Sequence, residues 1–96
     1  MTFYKLSRAA AKDLRTISQY TVQSFGVKQA KIYGDGFEQC LLTLSENPFI
    51  GRDVSHIRPS LRRFEHESHL IYYLLRDNGL YIVRVLHNRQ NPLKHL

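Results

Sequence analysis

The feature that most constrains this 96-residue chain is a change in the spacing of its apolar residues at Asn47-Pro48. Before that pair, apolar side chains recur every three or four residues, which is the period of an amphipathic helix. After it, β-branched and aromatic residues dominate three short runs, which is typical of strands. Proline disfavours the helical conformation in the residue before it, so the last helix must end here. The sequence therefore predicts a helical first half and a sheet-forming second half.

The first half predicts one short strand and two helices. A β-like opening over Phe3–Leu6 ends at Ser7, whose hydroxyl suits the cap of a helix N-terminus. The first helix runs from Arg8 to about Phe25, and Gly26 suits the positive-φ position just past a helix end. A second helical pattern continues to Asn47. Because the connection is so short, we expect the two helices to pack as an antiparallel hairpin.

The second half predicts a loop over Phe49–Pro59 and then three consecutive antiparallel strands. The strands are Leu61–Glu67, His69–Arg76 and Leu80–His87, with a hairpin turn at Asp77-Asn78-Gly79. The predicted fold class is α+β, in a single domain over residues 1–96. An N-terminal strand and an antiparallel two-helix hairpin precede a three-stranded antiparallel meander that completes one sheet.

The last strand carries apolar residues on both faces. Strict alternation places Tyr81, Val83, Val85 and His87 on one face, and the other face is also mostly apolar. Such a strand belongs in the interior of a sheet. One helix pair covers only one face of the sheet, so the carboxy-terminal segment or a bound chain must shield the other.

The charge of the chain indicates what kind of partner it binds, and its cysteine content indicates the redox state of its cellular compartment. The chain has 14 Lys or Arg against 8 Asp or Glu, a formal charge of +6, and residues 49–96 carry eight of those basic side chains against four acidic ones. A negatively charged partner is expected to meet the second half. Cys40 is the only cysteine, which fits a reducing compartment, and no signal peptide or membrane-spanning run is expected.

Few residues form patterns that carry chemistry. The five histidines and Cys40 have no tight ligand spacing, and no stretch forms a phosphate-binding glycine loop. We therefore expect no metal, no cofactor and no small-molecule substrate. Cleavage of RNA through its own 2′-hydroxyl stays open, since it needs an acid, a base and cations. Its candidates are Arg62, Arg63, Glu65, His66, Arg84 and His87. These residues are better explained as solvated strand charges and salt-bridge partners than as catalytic groups.

The order of the motifs along the whole chain resembles one known family, the ParE toxins of bacterial toxin–antitoxin modules, within the ParE/RelE superfamily. The matching stretches include Tyr4-Lys5-Leu6-Ser7, Asn47-Pro48, Leu61-Arg62-Arg63-Phe64, His69-Leu70-Ile71-Tyr72-Tyr73, Ile82–His87 and the ending His87-Asn88-Arg89. Individually the motifs are weak, and their order and spacing carry the resemblance.

The resemblance implies a cytoplasmic toxin that a ParD-like antitoxin neutralises in a hetero-oligomer. It also implies that the toxin binds and poisons DNA gyrase, in complex with its DNA, and so blocks replication without catalysis. The alternative is a ribosome-dependent mRNA endoribonuclease of the RelE type. Those relatives typically carry a catalytic tyrosine or a comparable residue near the carboxy terminus, whereas this chain has no tyrosine after Tyr81.

Two sets of contact residues follow. Arginines and histidines of the basic second half are the expected gyrase contacts, because arginine binds carboxylates and phosphates in bidentate fashion. That set is Arg63, Arg84, His87, Arg89 and His95. An antitoxin is expected to bury the apolar surface of the helix hairpin or to add a strand to the sheet edge. That set is Leu14, Ile17, Tyr33, Phe37, Arg62 and Tyr73.

The chain departs from the family pattern in its tail. After His87-Asn88-Arg89 many ParE sequences have a Met-Asp pair, where this chain has Gln90-Asn91. The missing acid removes a charge that would position Arg89 or His95. Target affinity is therefore expected to be more sensitive to this change than the fold.

Overall fold

The computed structural model describes residues 3–77 and 79–96, and it has the predicted α+β architecture. Strand β1 (Tyr4–Leu6) precedes helices α1 (Arg8–Phe25) and α2 (Val27–Glu46). Strands β2 (Arg52–Asp53), β3 (Arg62–His66), β4 (His69–Arg76) and β5 (Gly79–His87) follow, and a short 3₁₀ helix (Pro92–Lys94) ends the chain. Asn78, the centre of the predicted hairpin turn, lies outside the described residues.

The helix boundaries arise from local chemistry. The Ser7 hydroxyl accepts a hydrogen bond from the Ala10 amide at 2.9 Å and donates to the Val83 carbonyl at 2.7 Å. It thus caps α1 and ties the cap to β5. Gly26 alone separates the helices, at φ +92°, a conformation that side chains rarely adopt. The predicted helix hairpin is confirmed, and α2 ends before Asn47-Pro48 as the sequence indicates.

The sheet has five strands in the order β1-β5-β4-β3-β2. β1 runs parallel to β5, which the helix hairpin permits because it carries the chain across one face of the sheet. The meander β3-β4-β5 is antiparallel as predicted, and β5 lies in the interior. The predicted loop over Phe49–Pro59 needs correction, because Arg52 and Asp53 pair with β3 and form β2.

Strict alternation along β5 is wrong. The ladder joins Tyr72 to Arg84 and Tyr73 to Ile82, so Val83 is an extra residue that forms a β-bulge. A bulge reverses which face the following side chains meet. Val83 therefore packs on the face away from the helices, and Val85 packs beneath them.

The bulged sheet has an apolar cluster on each face. The larger cluster lies between the helices and the sheet and includes Leu41, Leu44 and Tyr73. The smaller one, around Tyr72 and Leu86, is covered by Ile57 of the β2–β3 loop and by Leu96. The carboxy-terminal segment thus contributes to shielding the second face. Within residues 3–77 and 79–96, no helix is both long and apolar enough to cross a membrane.

Candidate functional site

A groove of about 820 Å³ lies between the helix hairpin and the adjoining ends of β4 and β5. Ile17, Tyr20 and Phe25 of α1 form one wall, and Tyr33 of α2 contributes from the second helix. Tyr20 is 64% exposed and Phe25 67% exposed, although both are large apolar side chains. Exposed aromatic residues that converge on one groove are typical of a protein-binding surface. We call this feature the groove.

The floor of the groove is formed by aromatic and imidazole rings. The Tyr33 hydroxyl lies 3.0 Å from His69 Nδ1, and the rings of His69 and His87 are 5.4 Å apart in an edge-to-face arrangement. Burial lowers the pKa of His69, and the neighbouring His87 and His66 lower it further. Burial likewise raises the pKa of the Tyr33 hydroxyl. His69 and Tyr33 are therefore neutral near pH 7, and the floor favours apolar groups over ions.

An ion pair joins α1 to β5 in a depression that adjoins the groove. Arg84 Nε and Nη2 donate to the two Asp13 carboxylate oxygens at 2.8 and 2.9 Å. The Val85 amide also donates to Asp13 at 3.0 Å. The hydrogen bond to Asp13 raises the pKa of Arg84. With side chains only 14% and 20% exposed, Asp13 and Arg84 join the helix to the strand more than they present charge to a partner.

A second apolar surface lies in the loop of residues 48–51, which we call the 48–51 loop. Phe49 is 69% exposed and Ile50 is 51% exposed. The fully buried Tyr73 holds the loop from beneath, because its hydroxyl donates to the Pro48 carbonyl at 2.8 Å and accepts from the Gly51 amide at 3.0 Å. A Cβ atom at Gly51 would collide with that hydroxyl, which explains glycine at this position.

Arg62 holds the same loop from the side. Its Nη2 donates to the carbonyls of Phe49 at 3.2 Å and Gly51 at 2.8 Å. Its guanidinium lies 5.5 Å from the centre of the Phe49 ring, at cation–π distance. The 48–51 loop is therefore held in one conformation with its two apolar side chains directed outward.

The structure divides the predicted antitoxin contacts between three places. Ile17 and Tyr33 line the groove, and Leu14 and Phe37 line a smaller cavity of about 150 Å³ between the helices. Phe37 is buried, so it supports Tyr33 from below by an edge-to-face contact at 5.1 Å. Arg62 and Tyr73 hold the 48–51 loop instead.

The predicted gyrase contacts are also separated. His87 lies on the groove floor, and Arg84 is held by Asp13 as described above. Arg63 is half-buried on β3, whereas Arg89 and His95 are exposed in the segment after β5. One contact joins two of them, a hydrogen bond at 3.2 Å from Arg84 Nη1 to the His95 carbonyl.

Gln90 and Asn91, where the chain departs from the family pattern, each accept a hydrogen bond through their side-chain oxygen. Gln90 Oε1 accepts from the His87 amide at 2.7 Å, and Asn91 Oδ1 accepts from the Leu93 amide at 3.0 Å. Asn91 thereby caps the 3₁₀ helix. These neutral side chains fix the turn after β5 without a carboxylate.

Several residues of these surfaces were not anticipated from the sequence. Tyr20 and Phe25 fall outside the buried stripe of α1, and an aromatic residue off the stripe is the signal that would have identified them. Phe49 and Ile50, adjacent apolar residues in a predicted loop, give the same kind of signal. The role of Asp13 depends on a contact 71 residues away and has no local signal.

The part of the chain that the structure describes contains no group of three or more His, Cys, Asp or Glu residues arranged to hold a metal ion.

Comparison with known proteins gives one consistent family. Residues 4–92 match the family model described as the ParE toxin of the type II toxin–antitoxin system parDE. The chain is 34% identical to Toxin ParE1 of Caulobacter vibrioides over 93 residues, which cover 97% of this chain and 96% of that protein. It is 35% identical to Toxin ParE1 of Mycobacterium tuberculosis over 94 residues, with the same two coverages.

A solved structure has the same fold. The chain superposes with a TM-score of 0.74 on a chain of the structure titled "Chromosomal ParDE TA system from P. aeruginosa". The match covers 91% of this chain and 96% of that one, at 22% sequence identity.

Proposed function

Because the chain belongs to the ParE toxin family of type II toxin–antitoxin systems, we propose that it arrests growth by binding and poisoning DNA gyrase. In this proposal the toxin stabilises the cleaved gyrase–DNA complex and so blocks replication in the cytoplasm, and a ParD-like antitoxin neutralises it. The family match over residues 4–92 is the observation that carries the proposal.

The groove supports the antitoxin half of the proposal. An amphipathic helix buries its apolar face in such a groove through side chains spaced three or four residues apart. Tyr20 and Phe25 provide the exposed aromatic area that usually dominates binding energy. Of the predicted antitoxin contacts, Ile17 and Tyr33 lie where that helix would pack, and Leu14 and Phe37 support them.

Charge supports the same partner. The toxin carries +6, so an acidic antitoxin segment would be attracted to it and would associate quickly. The neutral floor around His69 suits an apolar side chain, and Lys12 lies in an adjoining depression with Asp13 and Arg84. An antitoxin helix with one apolar face and acidic flanks fits both features.

The exposed cations support a binding role toward gyrase and its DNA. Arg63, Arg89 and His95 are accessible to some degree, and His87 is accessible from the groove. In the proposal these side chains contact the target, while Arg84 acts indirectly by holding β5 and the His95 carbonyl.

The RelE-type nuclease is the less well supported alternative. Such an enzyme needs a cation free to stabilise the crowded phosphate and a nearby acid and base. Arg84, its leading cation, already donates two hydrogen bonds to Asp13. We therefore propose that the chain acts by binding and not by catalysis.

A gyrase assay with the purified chain tests the proposal. DNA gyrase and relaxed plasmid are incubated with increasing amounts of toxin, and both supercoiling and trapped double-strand cleavage are measured. The expected result is lost supercoiling with accumulating cleaved DNA. Normal supercoiling and no trapped cleavage at high toxin concentration would overturn the proposal.

The antitoxin and nuclease readings have their own tests. Co-expression with a ParD-like protein encoded beside the gene should restore growth and give a stable hetero-oligomer on size exclusion.

Primer extension on translated messages should show intact transcripts during growth arrest. Cleavage within those messages that disappears in His87→Ala would favour the RelE-type nuclease instead.

A further inference from the structure

The 48–51 loop is a second exposed apolar surface, and the polar side chains of Tyr73 and Arg62 hold it in place. Phe49 and Ile50 are adjacent and both more than half exposed. Tyr73 and Arg62 together make four hydrogen bonds to the main chain of Pro48, Phe49 and Gly51. A loop held this firmly keeps its apolar pair in solvent, where exposure costs free energy unless a partner buries it.

Two arginines on the neighbouring sheet edge face each other. Arg52 of β2 and Arg63 of β3 are directly opposite in the ladder, so their side chains leave the same face of the sheet. Like charges in such positions repel. Among the described residues neither guanidinium forms a salt bridge, which favours an anion from outside the chain.

Acidic side chains near this edge do not remove the positive charge. Asp53 lies opposite Arg62, and hydrogen bonds from Ser55 are the main reason that its pKa is lowered. Glu65 follows Arg63 by two residues on the same face of β3. Against these two carboxylates stand Arg52 and Arg63 on one face of the edge and Arg62 on the opposite face beside Asp53, and the exposed Arg58 belongs to the adjoining loop. The edge is therefore cationic beside an apolar projection.

We infer that the 48–51 loop and the arginines Arg52 and Arg63 form a DNA-contacting surface that binds a duplex where base stacking is locally broken. The arginines contact phosphates, and Phe49 with Ile50 inserts at the unstacked step. The inference deepens the proposed function and rests on it for its setting, because the cleaved DNA held by gyrase is a distorted duplex.

The shape of the surface favours DNA over an acidic protein segment. Phe49 and Ile50 project outward, so the partner must offer a narrow apolar recess flanked by negative charge. An opened base step offers stacked ring faces between two phosphate backbones, and phenylalanine and isoleucine are among the side chains that wedge into such steps. Arg62 beside the Phe49 ring leaves the rest of that ring free to stack on a base.

The test uses the full chain without gyrase and two labelled 20-base-pair duplexes, one intact and one with a central two-base mismatch. Fluorescence anisotropy should show tighter binding to the mismatched duplex. Phe49→Ala should weaken that binding about tenfold or more, the scale of one lost stacking contact. It should change binding to the intact duplex much less. Ile32→Ala, which truncates an exposed apolar residue of α2, is the matched control and should change neither.

The arginines are tested by salt dependence. Each lost phosphate contact lowers the slope of log affinity against log salt by about 0.9 in magnitude, so Arg52→Gln with Arg63→Gln should lower it by about 1.8. Arg15→Gln, at an exposed position of α1, should leave the slope unchanged. Thermal unfolding of every variant separates lost contacts from lost structure.

Three outcomes would overturn the inference. They are equal affinity for the two duplexes, a Phe49→Ala effect no larger than that of Ile32→Ala, and competition in which an acidic peptide displaces the mismatched duplex more effectively than DNA of equal charge. The last result would identify a protein partner for the loop.

The gyrase assay keeps this inference distinct from the proposed function. If the wild-type chain and Phe49→Ala trap cleaved DNA equally well, gyrase poisoning stands and the DNA contact fails. If the wild-type chain traps no cleavage, gyrase poisoning fails, and the anisotropy measurements still decide whether the loop binds DNA.

Discussion

The groove and the 48–51 loop both expose aromatic side chains, but they differ in shape and in the chemistry that holds them. The groove is concave and apolar, and the ion pair of Asp13 and Arg84 joins α1 to β5 beside it. The loop is convex and lies beside arginines, and a neutral tyrosine hydroxyl holds it. A concave apolar surface suits an amphipathic helix, whereas a convex one flanked by cations suits a distorted nucleic acid.

The difference also shows how one small sheet supports two surfaces. The anchors Arg84 and Tyr73 lie on neighbouring strands, β5 and β4, next to the bulge at Val83. Each anchor reaches from the sheet to a segment distant in sequence, α1 in one case and the 48–51 loop in the other. The predictions below remove one anchor or one surface at a time, beginning with the largest expected effect.

Asp13→Ala should destabilise the fold by about 3 kcal/mol, because it leaves the Arg84 guanidinium and the Val85 amide without their acceptor in a poorly exposed place. Chemical denaturation measures this loss, and antitoxin binding should weaken as the wall of the groove moves. The control is Asp35→Ala, which breaks the exposed pair with Lys31 at 3.3 Å and should cost about 0.3–0.5 kcal/mol. Equal losses in the two variants would show that Asp13 is an ordinary surface charge.

Tyr73→Phe should cost about 1–3 kcal/mol, because the Gly51 amide loses its acceptor and the Pro48 carbonyl loses its donor. It should also weaken binding to the mismatched duplex, although Phe49 and the arginines remain.

The adjacent Tyr72→Phe is the control for Tyr73→Phe. Both tyrosines are fully buried, but the Tyr72 hydroxyl makes no hydrogen bond within the described part of the chain. Removing it should therefore cost nothing or stabilise the fold slightly. Urea unfolding measures the stability of both variants. A greater loss of unfolding free energy in Tyr72→Phe than in Tyr73→Phe would contradict the anchoring role of Tyr73.

The smallest expected effect concerns pH and the floor of the groove. Burial and the neighbouring His87 and His66 lower the pKa of His69, so the unfolded chain binds its proton more readily than the folded chain. The stabilisation is fully present above about pH 6.5 and is lost as the pH falls through the lower pKa of the folded state. His69→Gln should therefore flatten the decline of unfolding free energy between pH 7 and pH 5. An unchanged slope in His69→Gln would contradict this.

Much of the fold follows from local sequence signals. The Ser7 cap, Gly26 and Asn47-Pro48 set the helix boundaries, and the apolar runs after Pro59 give the three strands of the meander. What local signals miss is long-range geometry. The bulge at Val83 depends on how β5 pairs with β4, and β2 has only two residues, too few for any pattern.

The candidate site was predicted less completely, because the relevant contacts span long sequence separations. Ile17, Tyr33 and His87 were singled out and do meet in the groove. Arg84 and Tyr73 were singled out as partner contacts, but tertiary structure engages them as internal anchors. The exposed aromatics Tyr20, Phe25 and Phe49 were overlooked because amphipathic analysis searches for buried stripes and ignores apolar residues outside them.

The central claim is that the two surfaces serve two partners, and one paired experiment tests it most directly. The groove variant Tyr20→Ser with Phe25→Ser and the loop variant Phe49→Ser with Ile50→Ser are each assayed for affinity to a ParD-like antitoxin and for trapped gyrase cleavage. The groove variant should lose about 30-fold or more in antitoxin affinity and still trap cleavage. The loop variant should bind antitoxin normally and trap little. Loss of both activities in both correctly folded variants would contradict the claim, because it would mean that one shared surface meets both partners.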